Sequence, residues 1–287
     1  MIKQTKSLLE LTKFRISLCA TLSAGAGFIL AKEELTPKIV VPILGVLFLA
    51  CGSCALNQYQ ERKSDRLMDR TRGRPLPSGR LAPGVCLLVS LTLMLSGASI
   101  LFHGTNLTAW GLGLFAIIWY NGVYTYLKRK TAFAAIPGAM VGGIPPLMGW
   151  VSGGGHFLDP EILAISFFFF MWQVPHFWLL LLRFGKDYEK AGFPSLTQMF
   201  TPAQLGRITF MWVFATAVTC IIIPLFGVVE SQVINGSLFA AGAWLVWKTS
   251  RVLIAKNQEF PFQFNFKVIN TYVLLVMVLI TFDKLFY

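Results

Sequence analysis

The sequence is poor in charge. Only 13% of its 287 residues are Asp, Glu, Lys or Arg, about half the roughly 25% of a soluble domain. With 55% hydrophobic residues and a mean hydropathy of +0.64, that shortage excludes a soluble globular domain and leaves an integral membrane protein. Cysteines fit for a disulfide framework are also lacking: all five, at 19, 51, 54, 86 and 220, fall in apolar stretches. Cys51 and Cys54 make a CxxC spacing, but beside Gly52, Ser53 and Ala55 it reads as small-residue helix packing rather than redox chemistry. No small-x-small cleavage site follows the first apolar segment, so a cleavable signal peptide is not expected. No polar linker and no convincing repeat divides the chain, which reads as one domain, residues 1–287.

What the sequence has is apolar runs. Nine of them, near 16–32, 39–60, 82–102, 106–126, 132–152, 160–182, 207–228, 233–254 and 266–285, approach the ~20 residues that cross the hydrocarbon core. The expected fold is an all-α polytopic bundle of nine transmembrane helices. The net charge of +12 suggests nucleic acid in a soluble protein, but here the basic residues gather in short loops between spans. Placing the N-terminus in the cytoplasm puts 22 of the 25 Lys and Arg on that side and leaves Lys32, Lys38 and Lys284 outside. These cations are topology signals, and no nucleic-acid partner is expected.

One polar stretch stands out, NQYQERKSDRLMDRTRGRPLPSG at 57–79. Asn57, Glu61, Asp65 and Asp69 recur every four residues. If the second span continues as a helix, each step turns about 40° past a full circle, so Asn57, Glu61 and Asp65 share one face. Oxygen ligands in such an array suit Mg²⁺ bridging to substrate phosphate. The competing reading is a solvated helix end whose acids balance Arg62, Arg66 or Arg70. Arg70, Arg72 and Arg74 then precede the helix-stopping RPLPSG; they suit a diphosphate, or retention on the positive side.

Three further groups come later in the chain. Tyr124 and Lys128 are four apart on one helix face, fit to neutralise a leaving diphosphate or to anchor an interface. His176, within Trp172-Gln173-Val174-Pro175-His176-Phe177-Trp178, is costly at its depth without a partner. It is a functional candidate unless it satisfies carbonyls freed by Pro175. Beyond it, Lys186, Asp187, Tyr188, Glu189 and Lys190 form a thinner cluster suited to a second metal. GGIPPLMGW at 142–150 breaks a span, either for a kink beside a ligand or for close packing at Gly142 and Gly143.

Together these residues resemble the UbiA superfamily of intramembrane prenyltransferases, and within it the branch that prenylates heme b. The matches are LTKFRI at 11–16, the Asn57, Glu61, Asp65 run with MDRTRGRPLPSG after it, YTYLKRKT at 124–131, GGIPPLMGW, and PHFW followed by DYEKAGFP. They span 11–197; the last third matches only as a hydrophobic pattern. Two departures stand against it: Glu61 where that branch usually has Asp, and Lys186-Asp187 where it has two adjacent aspartates.

The resemblance implies a UbiA-like bundle in a bacterial inner membrane. It implies Mg²⁺ held by Asn57, Glu61, Asp65 and Asp187, with Asp69, Tyr124 and Lys128 also catalytic. Farnesyl diphosphate and heme b would be the substrates, bound by Lys13, Arg15, Arg66, Arg70, Arg72, Arg74, His176, Trp178 and Tyr188. A heme A synthase would take the product. The competing functions are a UbiA-type transferase for an aromatic acid or quinone precursor, a transporter, and a structural subunit.

Overall fold

Residue 13 makes the first break in the chain. In the computed structural model, which describes residues 2–254 and 262–287, helix α1 (Ile2–Leu11) ends and α2 (Phe14–Lys32) begins around Lys13, whose backbone is left-handed at φ 46°. Helix α3 (Val40–Asp65) follows a 3₁₀ turn at Pro37–Ile39, which starts where proline needs no N–H partner. Next come α4 (Pro83–Gly104) and α5 (Leu107–Ile117), the latter capped by the Asn106 side chain, which accepts from the Ala109 N–H. Helix α5 runs on as a π segment, Ile118–Tyr124, into Thr125–Leu127. Helices α6 (Met140–Ser152), α7 (Pro160–Lys190), α8 (Pro202–Ile222), α9 (Gln232–Thr249) and α10 (Phe262–Phe286) complete the bundle. Among the described residues there is no strand.

By length and composition, seven helices among the described residues can cross a membrane. The expected count of nine is therefore not met as stated. The span expected at 106–126 is divided by its π segment, and the one expected at 233–254 forms an 18-residue helix with Asn235, Gly236 and Lys248 inside it, outside the seven. The bundle presents apolar side chains outward: Leu88, Leu95, Val233 and Phe239 are all more than half exposed. Such a surface is stable against lipid rather than water.

Small residues let the helices approach. A Cβ on Gly149 of α6 would lie 1.8 Å from the Ala24 carbonyl oxygen of α2, and one on Gly142 would meet the Gln173 side chain of α7. The glycines of GGIPPLMGW thus serve close packing. Cys51 and Cys54 are buried free thiols, and Cys54 Sγ accepts from the Ser17 hydroxyl of α2 at 3.9 Å; Gly52 between them meets α4, where the Ser90 hydroxyl donates to its carbonyl at 2.8 Å.

Polar contacts gather at two opposite ends of the helices. At one, Lys284 meets Glu33 at 3.0 Å and Glu230 at 2.8 Å, while Asp283 accepts the Glu230 and Ser231 N–H groups. At the other, Arg80 pairs with Glu10 at 2.5 Å, and the Gln58 amide donates to the carbonyls of Glu10 and Leu11, tying α1 to α3. Lys256, counted above with the basic loops, lies outside the described residues.

Candidate active site

The α3 face expected from the four-residue spacing exists, and it is buried. Asn57, Glu61 and Asp65 are 1%, 5% and 1% exposed. Buried charge is tolerated only when paired, and each of the three has a cationic partner from a different segment. The Lys13 ammonium donates to Asn57 Oδ1 at 2.9 Å, Lys128 pairs with Glu61, and Arg74 pairs with Asp65 Oδ2 at 2.8 Å. Losing its hydration on burial draws the Lys13 ammonium down from 10.5 to about 8; Arg74 and Lys128 push the same way, against Cys54 and Glu61.

Helix α3 stops at Asp65, so Asp69 leaves the stripe. The Thr71 hydroxyl donates to the Asp65 carbonyl at 2.8 Å, which folds the following loop back on the helix end. Asp69 is more than half exposed there and pairs with Lys190 at 2.7 Å and Arg72 at 3.5 Å; the Lys190 hydrogen bond holds its carboxyl below the usual range. The same loop reaches α7, where Asp187 Oδ2 accepts the Arg70 N–H at 3.1 Å. One 66–74 loop therefore joins Asp65 and Asp187 at a common rim.

The π segment supplies the opposite wall. Its wider turn shifts the side-chain register of the helix that carries it. Within it, buried Asn121 donates to the Ser53 carbonyl at 3.0 Å and to Gln60 Oε1 at 3.2 Å. One turn on, Thr125 accepts from the Asn57 amide at 3.1 Å, and Lys128 reaches Glu61. Tyr124 stacks between Tyr120 and Phe177 at centroid distances of 5.8 and 6.0 Å, with the Lys128 ammonium 5.3 Å from its ring.

The other expected site residues have contacts of their own. Arg15 and Arg66 are exposed on the rim, and Arg70 lays its guanidinium over Phe184 at 4.8 Å. Trp178 is 3% exposed in a hydrophobic cluster, edge-on to Trp212 at 5.8 Å. Tyr188 is half-buried against Phe193. Glu189, of the cluster suited to a second metal, accepts from the Thr197 hydroxyl at 2.6 Å, and Lys186 is exposed. His176 Nδ1 lies 3.0 Å from Asn270 Oδ1.

The sequence reading missed Gln58, Gln60, Asn121, Thr125 and Asn270. Asn121 carried a signal, since an amide in an apolar span must find a partner. The others depend on contacts between distant segments. Among the described residues, no three His, Cys, Asp or Glu side chains group as a ready-made metal cage. The donors on α3 are nevertheless of one chemical kind, two carboxylates and an amide oxygen with Asp187 across the loop. Hard divalent cations take such all-oxygen sets, usually completed by substrate oxygens.

Apolar helices closing around buried acids and bases at one rim define an integral membrane protein of the helical-bundle class. Its fold is similar to that of solved structures. One is a digeranylgeranylglyceryl phosphate synthase, with a TM-score of 0.77, 15% identity, and 99% of both chains covered. Another is a UbiA homolog from Archaeoglobus fulgidus bound to GPP and Mg²⁺, with a TM-score of 0.72, 16% identity, and 97% and 99% of the chains covered. The chain belongs to the UbiA prenyltransferase family, which it matches over residues 18–271. It is 39% identical over 233 residues to the protoheme IX farnesyltransferase of Geobacter sulfurreducens, covering 79% of this chain and 84% of that one. It is 32% identical over 279 residues to that of Oleidesulfovibrio alaskensis, covering 96% and 95%.

Proposed function

We propose that the chain transfers the farnesyl group of farnesyl diphosphate to a vinyl group of heme b, with addition of water, releasing heme O and diphosphate. The observation that carries this reading is the set of three cations, Lys13, Lys128 and Arg74, placed on the three α3 oxygens beneath a loop that also holds Asp187. Mg²⁺ held by Asn57, Glu61, Asp65 and Asp187 would neutralise the diphosphate and ease its departure. Lys13, Lys128 and Arg74 then turn from the α3 oxygens to the phosphates, Arg74 with a planar fork suited to them.

When the C1–O bond of the prenyl chain breaks, its electron pair leaves with the diphosphate. The stacked rings of Tyr120, Tyr124 and Phe177 offer π faces to the allylic cation. The vinyl π pair forms the new C–C bond, and water captures the porphyrin-side cation with loss of a proton. Water must not meet the first cation, and burial among apolar helices excludes it. The acids and their cations face the cytoplasm of a bacterial inner membrane in this reading, and a heme A synthase takes the product.

The test is purified protein in lipid nanodiscs with heme b and farnesyl diphosphate, with and without Mg²⁺. Mg²⁺-dependent appearance of the hydroxyethylfarnesyl product by mass supports the reading. Prenylation of an aromatic acid with heme b untouched refutes it.

A further inference from the structure

His176 and Asn270 come from α7 and α10, helices whose contact no sequence motif announces. The Asn270 amide nitrogen donates to the Phe266 carbonyl, one turn earlier on its own helix, at 2.5 Å. Turned the other way, the amide would set two carbonyl oxygens against each other at that distance. Asn270 Oδ1 is therefore the atom facing His176 Nδ1, and it can only accept. The proton must be on Nδ1, and the neutral ring carries its free electron pair on Nε2. Nε2 has no hydrogen-bond partner among the described residues.

The ring sits among Phe266, Trp172 and Phe177, at centroid distances of 4.7, 5.0 and 5.8 Å. The indole N–H of Trp172 is tied to the Ile269 carbonyl at 3.1 Å, which holds this wall against α10. Phe177 in turn stacks on Tyr124 beside the Lys128 and Glu61 pair. On the same face of α7, one turn before His176, Gln173 Oε1 is buried without a hydrogen-bond partner among the described residues. Asp187 lies eleven residues further along the same helix, about 16 Å at 1.5 Å per residue. That spacing separates the His176 ring and its aromatic neighbours from the phosphate end of the site.

We infer that His176 Nε2 is an axial ligand for the iron of the tetrapyrrole acceptor, and that Asn270 is the positioning residue that fixes the ring and its tautomer. The inference rests on the heme reading given above and assigns the place where the acceptor docks. Histidines that bind metal commonly donate their other N–H to an oxygen, and losing that oxygen weakens metal binding about 10–100-fold.

The experiment compares two tetrapyrroles, ferric heme b and metal-free protoporphyrin IX, titrated into the full chain in nanodiscs, with farnesyl diphosphate binding as the measure of intact fold. The wild type should bind heme b at least about tenfold more tightly than protoporphyrin IX and show a nitrogen-ligated Soret and EPR signature. His176→Ala should lose both the preference and the signature. Asn270→Leu should lower the preference about tenfold, whereas Asn270→Asp, which keeps an acceptor oxygen, should retain it. A wild-type preference near one, or a preference unchanged in His176→Ala, overturns the ligand. A preference unchanged in Asn270→Leu overturns the positioning role. Conversion of heme b in either case leaves the proposed function standing, while a wild type that neither binds nor converts heme b overturns both.

Discussion

Lys13 offers the sharpest test of the cluster. Its side chain links the α1/α2 break to Asn57, and its ammonium is drawn from 10.5 down to about 8. That displacement corresponds to at most about 3.5 kcal/mol, less because the residue keeps some contact with solvent. The charged form is thus disfavoured in the empty protein, and a bound diphosphate restores it. Affinity for farnesyl diphosphate should therefore be flat below pH 8 and fall as the pH rises through it, to about one tenth at pH 9. Stability of the empty protein moves the other way. The unfolded chain holds this proton up to 10.5, so Lys13 adds stability as the pH rises from about 8 to 10.5.

The assay is farnesyl diphosphate binding in nanodiscs from pH 6.5 to 9.5, in wild type and two variants. Lys13→Arg keeps its charge throughout, so its curve should lack the alkaline fall. Lys13→Met should begin about tenfold weaker at pH 7 and also stay flat, the loss expected for one charged hydrogen bond. Identical profiles for wild type and Lys13→Arg up to pH 9 would refute the reasoning.

Asp65→Asn should lower turnover about 10²–10³-fold, as loss of one charged group from a dry site does, with the protein still present in the membrane; near-wild-type product formation would remove Asp65 from the site. Arg15→Ala and Arg66→Ala, both exposed, should leave farnesyl diphosphate affinity at the wild-type value in the same binding assay. Gly149→Val should destabilise the α2/α6 seam by about 1–3 kcal/mol or more, read as a lower melting temperature in detergent. Gly111→Ala in α5, where an added methyl meets nothing and Ala favours the helix, should leave that temperature undiminished or raise it.

The fold was legible where hydrophobicity writes it. The basic loops mark the span boundaries, and Lys284 does meet Glu33 and Glu230 at the end opposite the Arg80 and Glu10 pair. The two helices outside the seven are those where apolar length and structure part company. Residues 118–124 look like plain helix in sequence, because a π turn has no compositional signature, only one extra residue in the ring of each hydrogen bond.

The site was legible in its acids and much less so in their partners. Period four put Asn57, Glu61 and Asp65 on one face, but the same period carried Asp69 with them, and only the helix end at Asp65 separates it. Trp178 stands two residues from a candidate histidine and is expected from that position to belong to the site. A helix turns 100° per residue, and two residues past His176 the side chain enters the core with Trp212.

Which cation meets which oxygen is set by tertiary contact, and its logic is electrostatic. Carboxylates this deeply buried cannot stand bare, and here they pair with the protein's own lysines and arginine. A ligand bringing metal and diphosphate together supplies both signs at once. On the proposed function the acids would exchange their cations for the metal while those cations exchanged acids for phosphate, and no charge would be left buried alone. Metal without diphosphate, or diphosphate without metal, would strand one set. Each should therefore bind weakly by itself and strongly with the other, and equal affinity for farnesyl diphosphate with and without Mg²⁺ would contradict the pairing that the Lys13, Lys128 and Arg74 contacts describe.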